Sequence, residues 1–322
     1  MTTMTDSSVP APRRSVDRKW LALLMLAGVL AIAPLTGVYP LFIMQVLCFA
    51  LGACAFNLLL GYGGLLSFGH GMFVGTASYV TAHALKEWGI APEFGIALGV
   101  VASFVVAAVT GYIAIRRQGI YFAMITLALS QLLFFFYLQA PFTHGEDGIR
   151  SVPQGLLFGV FPLSTPEVLY YFIAACFMLG FLLIYRVVNS PFGEVLTAIR
   201  ENEARSISLG FEADRYKLCA YIISGTIAGF AGSLKLLVTQ NASLTDVQVS
   251  ASGDLILMTI VGGIGTLFGP VVGAFVIVAT QQYLADFGQW VMVMQGMIFV
   301  VCVLAFRRGI VGTALDYYNQ RR

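Results

Sequence analysis

The placement of ionisable side chains constrains this chain more than any other feature. From Trp20 to Leu85, between Lys19 and Lys86, there is no Asp, Glu, Lys or Arg. A helix needs about 20 mostly apolar residues to cross a bilayer, so this run has room for three spans. Gly37-Val38-Tyr39-Pro40 and Gly61-Tyr62-Gly63-Gly64 divide it at turn-like places. Further charge-free runs lie between Glu93 and Arg116, Arg117 and Glu146, Glu167 and Arg186, Lys217 and Lys235, and Asp286 and Arg307, each suited to one helix. The run between Asp254 and Asp286 is longer and contains Gly262, Gly263, Gly265, Gly269 and Pro270, which reads as two helices, the first short. Only 11% of the residues are charged and 58% are hydrophobic. A soluble domain carries about 25% charged residues, and a chain this apolar needs lipid as its solvent.

The expected fold is therefore an all-α polytopic membrane protein with ten spans. They are placed at 20–36, 40–60, 66–85, 94–115, 119–138, 168–186, 217–237, 253–266, 269–285 and 288–306. Lys and Arg collect on the cytoplasmic side of membrane proteins. With both termini inside, only Lys86, Arg150 and Lys235 of the 18 Lys and Arg fall outside or near an outer helix end. A nine-span reading exports Arg307, Arg308, Arg321 and Arg322 and fits less well. The organisation that follows is a basic cytoplasmic tail (1–19), a membrane domain (20–306) and a cytoplasmic C-terminal tail (307–322). An external loop covers 139–166 and a charged cytoplasmic loop about 187–216.

That cytoplasmic loop carries a helix signature. Ser190 is placed to cap and Pro191 to occupy the first helical position. Phe192, Val195, Leu196 and Ile199 follow at helical spacing on one face, while Glu194, Arg200, Glu201, Asn202, Glu203 and Arg205 make the rest polar, and Gly210 reads as the stop. A short amphipathic helix of this kind lies on lipid headgroups, connects two spans, or docks in a partner's groove.

Several chemistries have no support. None of the four Lys follows a Gly, so there is no GxxxxGK[ST] phosphate cradle. No nucleophile–base pair or metal-ligand cluster stands out among three His, and nothing points to catalysis, a cofactor, a metal or nucleic acid. The five Cys lie in apolar runs without a CxxC pair and read as small buried fillers. The span centres lack Asp and Glu, which argues against a proton-driven carrier, although a Na⁺ site of backbone carbonyls passes that test.

The glycine clusters Gly61, Gly63, Gly64, Gly69 and Gly262, Gly263, Gly265, Gly269 read either as close helix packing or as broken helices beside a cavity. Gly64–Gly69 and Gly265–Gly269 look loosely alike, as in an internal duplication. His70 is placed near the cytoplasmic start of the third span, where it bonds local backbone or touches solute. Asn57, Ser67, His70, Tyr79, Thr126 and Gln131, with Ser130 and Gln281, are the candidates for a translocation path. Phe134 to Tyr137 read as an interfacial aromatic belt.

Three blocks resemble one family. They are Asn57-Leu-Leu-Leu-Gly61-Tyr-Gly63-Gly64-Leu-Leu-Ser67-Phe68-Gly69-His70-Gly71, then Ala198 to Gly232 with Glu201-Asn-Glu203-Ala204, and finally Gly262-Gly263-Ile-Gly265-Thr266-Leu-Phe-Gly269-Pro270. They stand in the order found in the branched-chain amino acid permeases of bacterial ABC importers, the LivH/LivM family, and the basic N-terminal extension is more like the LivM type. The resemblance implies a multi-pass inner-membrane subunit paired with a LivH-like permease. Two cytoplasmic ATPase subunits that bind the ATP and an extracytoplasmic solute-binding protein would complete the importer. It also implies that the loop near 190–210 is a coupling helix, engaging the ATPases through Phe192, Ile199, Arg200, Glu201, Glu203, Ala204 and Gly210. The alternative is a secondary transporter or channel that works alone.

Overall fold

The computed structural model describes residues 25–30, 39–159 and 161–284, and beyond them positions 290, 293, 294, 296, 297, 300, 304 and 309–313. The chain divides into two compact units, 1–39 and 40–322. In the first, residues 25–30 are helical. The expected basic tail, the rest of the first span, most of the last span (288–306) and residues 314–322 lie outside the described residues.

In the second unit the helices are α1 (Pro40–Asn57, continued by a π-helical turn, Leu58–Tyr62), α2 (His70–Lys86), α3 (Pro92–Ala114), α4 (Ile120–Gln139) and α5 (Pro166–Val188), followed by α6 (Pro191–Glu201), α7 (Glu203–Ser208), α8 (Ala213–Thr239), α9 (Val249–Gly262) and α10 (Gly269–Tyr283). α1 with its π turn, α3, α4, α5 and α8 are each long and apolar enough to cross a bilayer. Proline stands in the first turn of α3, α5, α6 and α10, where its missing N–H has no intrahelical partner to lose and its fixed φ suits the helix. Large apolar side chains on α3 and α4, among them Val101, Phe104, Met124 and Leu127, point outward. Such a surface needs hydrocarbon or another protein against it.

α8 is the central helix, packed on α1, α2 and α3. Small residues let the backbones approach. A Cβ on Gly232 would sit 2.2 Å from the Val74 carbonyl, and one on Gly229 2.2 Å from Ser103 Oγ. Hydroxyls brace the same interfaces: Ser78 donates to the Gly232 carbonyl (3.0 Å) and Ser103 to the Phe73 carbonyl (2.9 Å). Close backbones and interhelical hydrogen bonds are what hold helices together where lipid removes the hydrophobic drive.

The loop expected to be external, 139–166, is ordered by pairing. β1 (Ile149–Arg150) and β4 (Asn241–Ala242) form one antiparallel pair, and β2 (Leu156–Leu157) with β3 (Phe161–Pro162) forms another. The β1–β4 pair ties the loop after α4 to the segment that leaves α8.

Five expectations are corrected. The third span begins at His70 rather than 66, because 63–69 is irregular. The span expected at 253–266 is α9, which starts at Val249 and ends at Gly262. The single amphipathic helix expected from Ser190 to Gly210 is two, broken at Asn202, which adopts φ −154° and ψ 97° and accepts the Arg205 N–H on its side chain (2.9 Å). A side-chain cap of this kind competes with continuing the helix. Ser190 makes no cap either; its hydroxyl donates to the Val187 carbonyl (2.7 Å). Cys48 and Cys54 are buried as expected, but Cys219 is exposed.

Candidate translocation and coupling site

α8 serves as a ruler for depth. His70 meets Ser224, eleven residues after Ala213, which is about 16 Å along a helix about 40 Å long. α2 therefore starts beside the middle part of α8, about two fifths of the way along it, not at its end. The irregular stretch 63–69 climbs to it inside protein, as backbone at that depth must. Its amides are satisfied by side chains: Phe68 N–H donates to Thr126 Oγ1 (3.2 Å) and Gly69 N–H to Ser67 Oγ (3.2 Å).

α9 is the counterpart. The chain leaves α8 at Gln240, turns back through β4 and 243–248, and starts α9 beside the first turn of α2, where Gly71 N–H donates to Ser252 Oγ (2.7 Å). α2 runs parallel to α8, with His70 at Ser224 and Thr81 at Ser233. α9 runs with α1, since Thr259 donates to the Ala53 carbonyl (3.2 Å) and Asn57 reaches Thr266. The two half-helices thus begin at one depth and run in opposite directions, an inverted arrangement, in which the glycine clusters do not correspond, since 61–69 precedes α2 and 262–269 follows α9.

His70 is fully buried, edge-on to Phe56 and Phe73. Ser224 donates its one hydroxyl proton to the Ala55 carbonyl (2.5 Å), so His70 Nε2, 2.8 Å away, is the donor to Ser224 Oγ. His70 Nδ1 has no partner. His70 thus braces α2 to α8 and α1 rather than bonding local backbone. Ser67 and Thr126 serve the first break, and Tyr79 stacks on Tyr137 (5.2 Å) with its hydroxyl buried and unpartnered. Gln131 is half-buried on α4.

The start of the first break and the second break, 263–268 between α9 and α10, meet at Asn57. Its Oδ1 accepts the Gly265 N–H and its Nδ2 donates to the Thr266 carbonyl, both at 2.9 Å. A Cβ on Gly61 would lie 2.7 Å from Gly265 N, so the two glycine clusters are in backbone contact. The π turn leaves the Gly61 carbonyl free of a helical partner, and Arg200 of α6 donates Nη1 to it. The stem of Arg200 crosses Gly64, whose φ of 68° and lack of Cβ make room.

α6 and α7 form one lever with two faces. The inner face fastens it to the membrane helices. Leu196 and Ile199 are buried, Phe192 stacks on Tyr216 (5.6 Å), and Glu203 forms a 2.6 Å ion pair with the buried Lys217. Gln118 donates to the same Glu203 oxygen (2.9 Å). The outer face leaves Glu201, Ala204 and Gly210 exposed, with Ile207 (55%) and Leu209 (70%) beside them. Of the expected coupling residues, then, Phe192, Ile199 and Glu203 face their own chain, and Arg200, though exposed overall, reaches back to bond it. Ile207, Leu209, Lys217 and Gln118 were not anticipated. For Ile207 and Leu209 the available signal was apolar residues off the stripe of α6 in an otherwise charged loop; Lys217 and Gln118 carried no local signal.

At the end of the bundle away from α6 and α7, a cavity of about 530 Å³ is lined by Phe134, Glu146, Asp147, Arg150, Thr245 and Gln248, the last standing directly before α9. Below it Lys235 of α8 pairs with the buried Asp246 (2.6 Å) and lies 4.9 Å over the Phe49 ring. Among the described residues no three His, Cys, Asp or Glu side chains group as a metal site.

The profile of a family described as branched-chain amino acid transport system, permease component, matches residues 40–304. The chain is 28% identical over 276 residues to the high-affinity branched-chain amino acid transport system permease protein LivM of Salmonella typhimurium, covering 77% of this chain and 64% of that one. It therefore spans somewhat under two thirds of that relative's length. It is 26% identical to the probable branched-chain amino acid transport permease protein LivH of Methanocaldococcus jannaschii, covering 74% of this chain and 79% of the relative. A shorter match, 26% over 146 residues (44% of this chain, 40% of the relative), is to the autoinducer 2 import system permease protein LsrC of Klebsiella pneumoniae. No solved structure matches.

Proposed function

The chain belongs to the branched-chain amino acid transport permease-component family, and from that premise we propose that it is the membrane permease subunit of an ABC importer. Its solute is a branched-chain amino acid or a related small polar molecule. It pairs with a second, LivH-like permease, receives solute from an extracytoplasmic binding protein, and takes its energy from two cytoplasmic ATPases that bind the ATP. Both termini lie in the cytoplasm. The observation that carries this reading is the two-faced lever. Its inner face is bonded to the helix breaks, and its outer face offers apolar side chains where a soluble partner can cover them.

Mechanically, ATPase closure pushes α6 and α7. The inner face passes that displacement to Gly61 through Arg200 and to α8 through Glu203 and Lys217. The breaks beside α2 and α9 are where the helices bend to open one side of the membrane and close the other. The polar cavity at Gln248 is the outer mouth. A weak solute site suffices, because the binding protein performs capture.

Leu209→Asp and Ile207→Asp test the docking face. The expected result is loss of ATPase co-purification with unchanged thermal melting of the permease, since both side chains already face outward. Uptake of solute by the isolated chain in proteoliposomes without ATP is the result that overturns the reading, in favour of a carrier working alone.

A further inference from the structure

We propose that the Asn57 carboxamide is a clasp that makes the two helix breaks and the lever move as one body. Asn57 is thereby a positioning residue, not a wall of the solute path. The inference rests on the permease reading for its consequence in transport, but its structural content stands alone.

Asn57 is 3% exposed and spends both ends of its side chain on the second break, more than 200 residues away in sequence. Gly265, at φ 75°, and Thr266 lie in the turn between α9 and α10. A turn in that position has no helical partner for the Gly265 N–H or the Thr266 carbonyl, and a buried unpaired backbone group is costly. Asn57 supplies the missing acceptor and donor together. An amide can do this; a carboxylate or a hydroxyl of similar size cannot fill both roles with one fixed geometry.

Asn57 also sits one turn before Gly61, whose carbonyl takes Arg200. The lever, the π turn and the second break are thus joined in series over about two helical turns. Gly61 is packed against both the clasp and the second break: a Cβ there would meet Asn57 Oδ1 at 2.3 Å and Gly265 N at 2.7 Å, so a displacement of Gly61 by α6 is expected to carry Gly265 with it. The alternative, that α6 works on the first break alone, would leave Gly265 and Thr266 indifferent to Arg200.

The test uses the full-length chain in detergent. Amide hydrogen exchange is followed in the 262–269 segment for the wild type, Asn57→Ala, Asn57→Asp and Arg200→Ala. Loss of the clasp is expected to speed exchange there about tenfold in both Asn57 variants. Arg200→Ala removes no hydrogen bond to that segment, although Arg200 Nη1 lies 3.7 Å from where a Cβ on Gly265 would sit. It is expected to speed exchange there several-fold while α2 is unaffected, and Arg200→Ala combined with Asn57→Ala is expected to add little to Asn57→Ala alone, since the clasp is the route. Unchanged exchange at 262–269 in Arg200→Ala, or in both Asn57 variants, overturns the proposal. In the assembled importer the folded variants are expected to keep ATP hydrolysis within twofold and lose at least tenfold in uptake. Parallel loss of both activities, or uptake at the wild-type level, counts against the clasp. Failure to assemble with ATPases at all would sink the permease reading instead, and the exchange result would still decide the clasp.

Discussion

Removing Glu203 is expected to destabilise the protein far more than removing its partner. Lys217 Nζ lies 2.6 Å from Glu203 Oε1, and the two side chains are 5% and 23% exposed. With Glu203→Gln the Lys217 ammonium stays buried with an amide in place of its counter-ion. Breaking a buried pair this way costs about 3–5 kcal/mol. The melting temperature of a domain this size falls by about 2–4 °C per kcal/mol, so the expected drop is roughly 6–20 °C. Lys217→Met leaves Glu203 partly in water and still bonded by Gln118, which limits the loss to about 1–3 kcal/mol. The double variant Glu203→Gln with Lys217→Met removes both charges and is expected to recover most of the loss. Because Lys217 is buried, the ordering should survive about 0.5 M salt. Thermal melting of the purified chain in detergent, with the three variants side by side, reads all of this. Equal losses in the two single variants, or a double variant no better than Glu203→Gln, would refute the view that this pair is a buried fastening.

Two further outcomes follow from packing. A Cβ on Gly273 would lie 1.8 Å from the Met258 carbonyl, whereas one on Gly253 meets nothing within 4 Å; Gly273→Ala is expected to force α9 from α10 and cost more than about 2 kcal/mol, while Gly253→Ala shifts melting by less than about 0.5 kcal/mol or raises it. Tyr137 donates to Thr76 Oγ1 (2.9 Å) and the Tyr79 hydroxyl donates to nothing, so Tyr137→Phe is expected to cost about 1 kcal/mol and Tyr79→Phe to be neutral or stabilising, an order that the same melting assay checks.

The linear pattern was sufficient for what depends on near neighbours. Charge-free runs mark the spans because a charge in hydrocarbon is costly wherever the chain goes. The proline start of α6 is legible because the constraint is a missing N–H on that residue itself, whereas α3 and α5 start at Pro92 and Pro166, two residues before the expected spans. The inner stripe Phe192, Leu196, Ile199 follows from helical spacing, and Leu196 and Ile199 are buried as that stripe requires.

Depth and partnership were decided only by the tertiary structure. His70 sits beside the middle part of α8 because Ser224 meets it from 154 residues away. α9 starts at Val249 because β1 and β4 pair and turn the chain back inward. Asn57 reads locally as one more polar residue in a span, and Arg200 as a solvated charge. Their bonds to Gly265, Thr266 and Gly61 cross 139 residues or more. No periodicity records such contacts, because a hydrogen bond in a low-dielectric interior depends on which groups meet there and not on how far apart they lie along the chain.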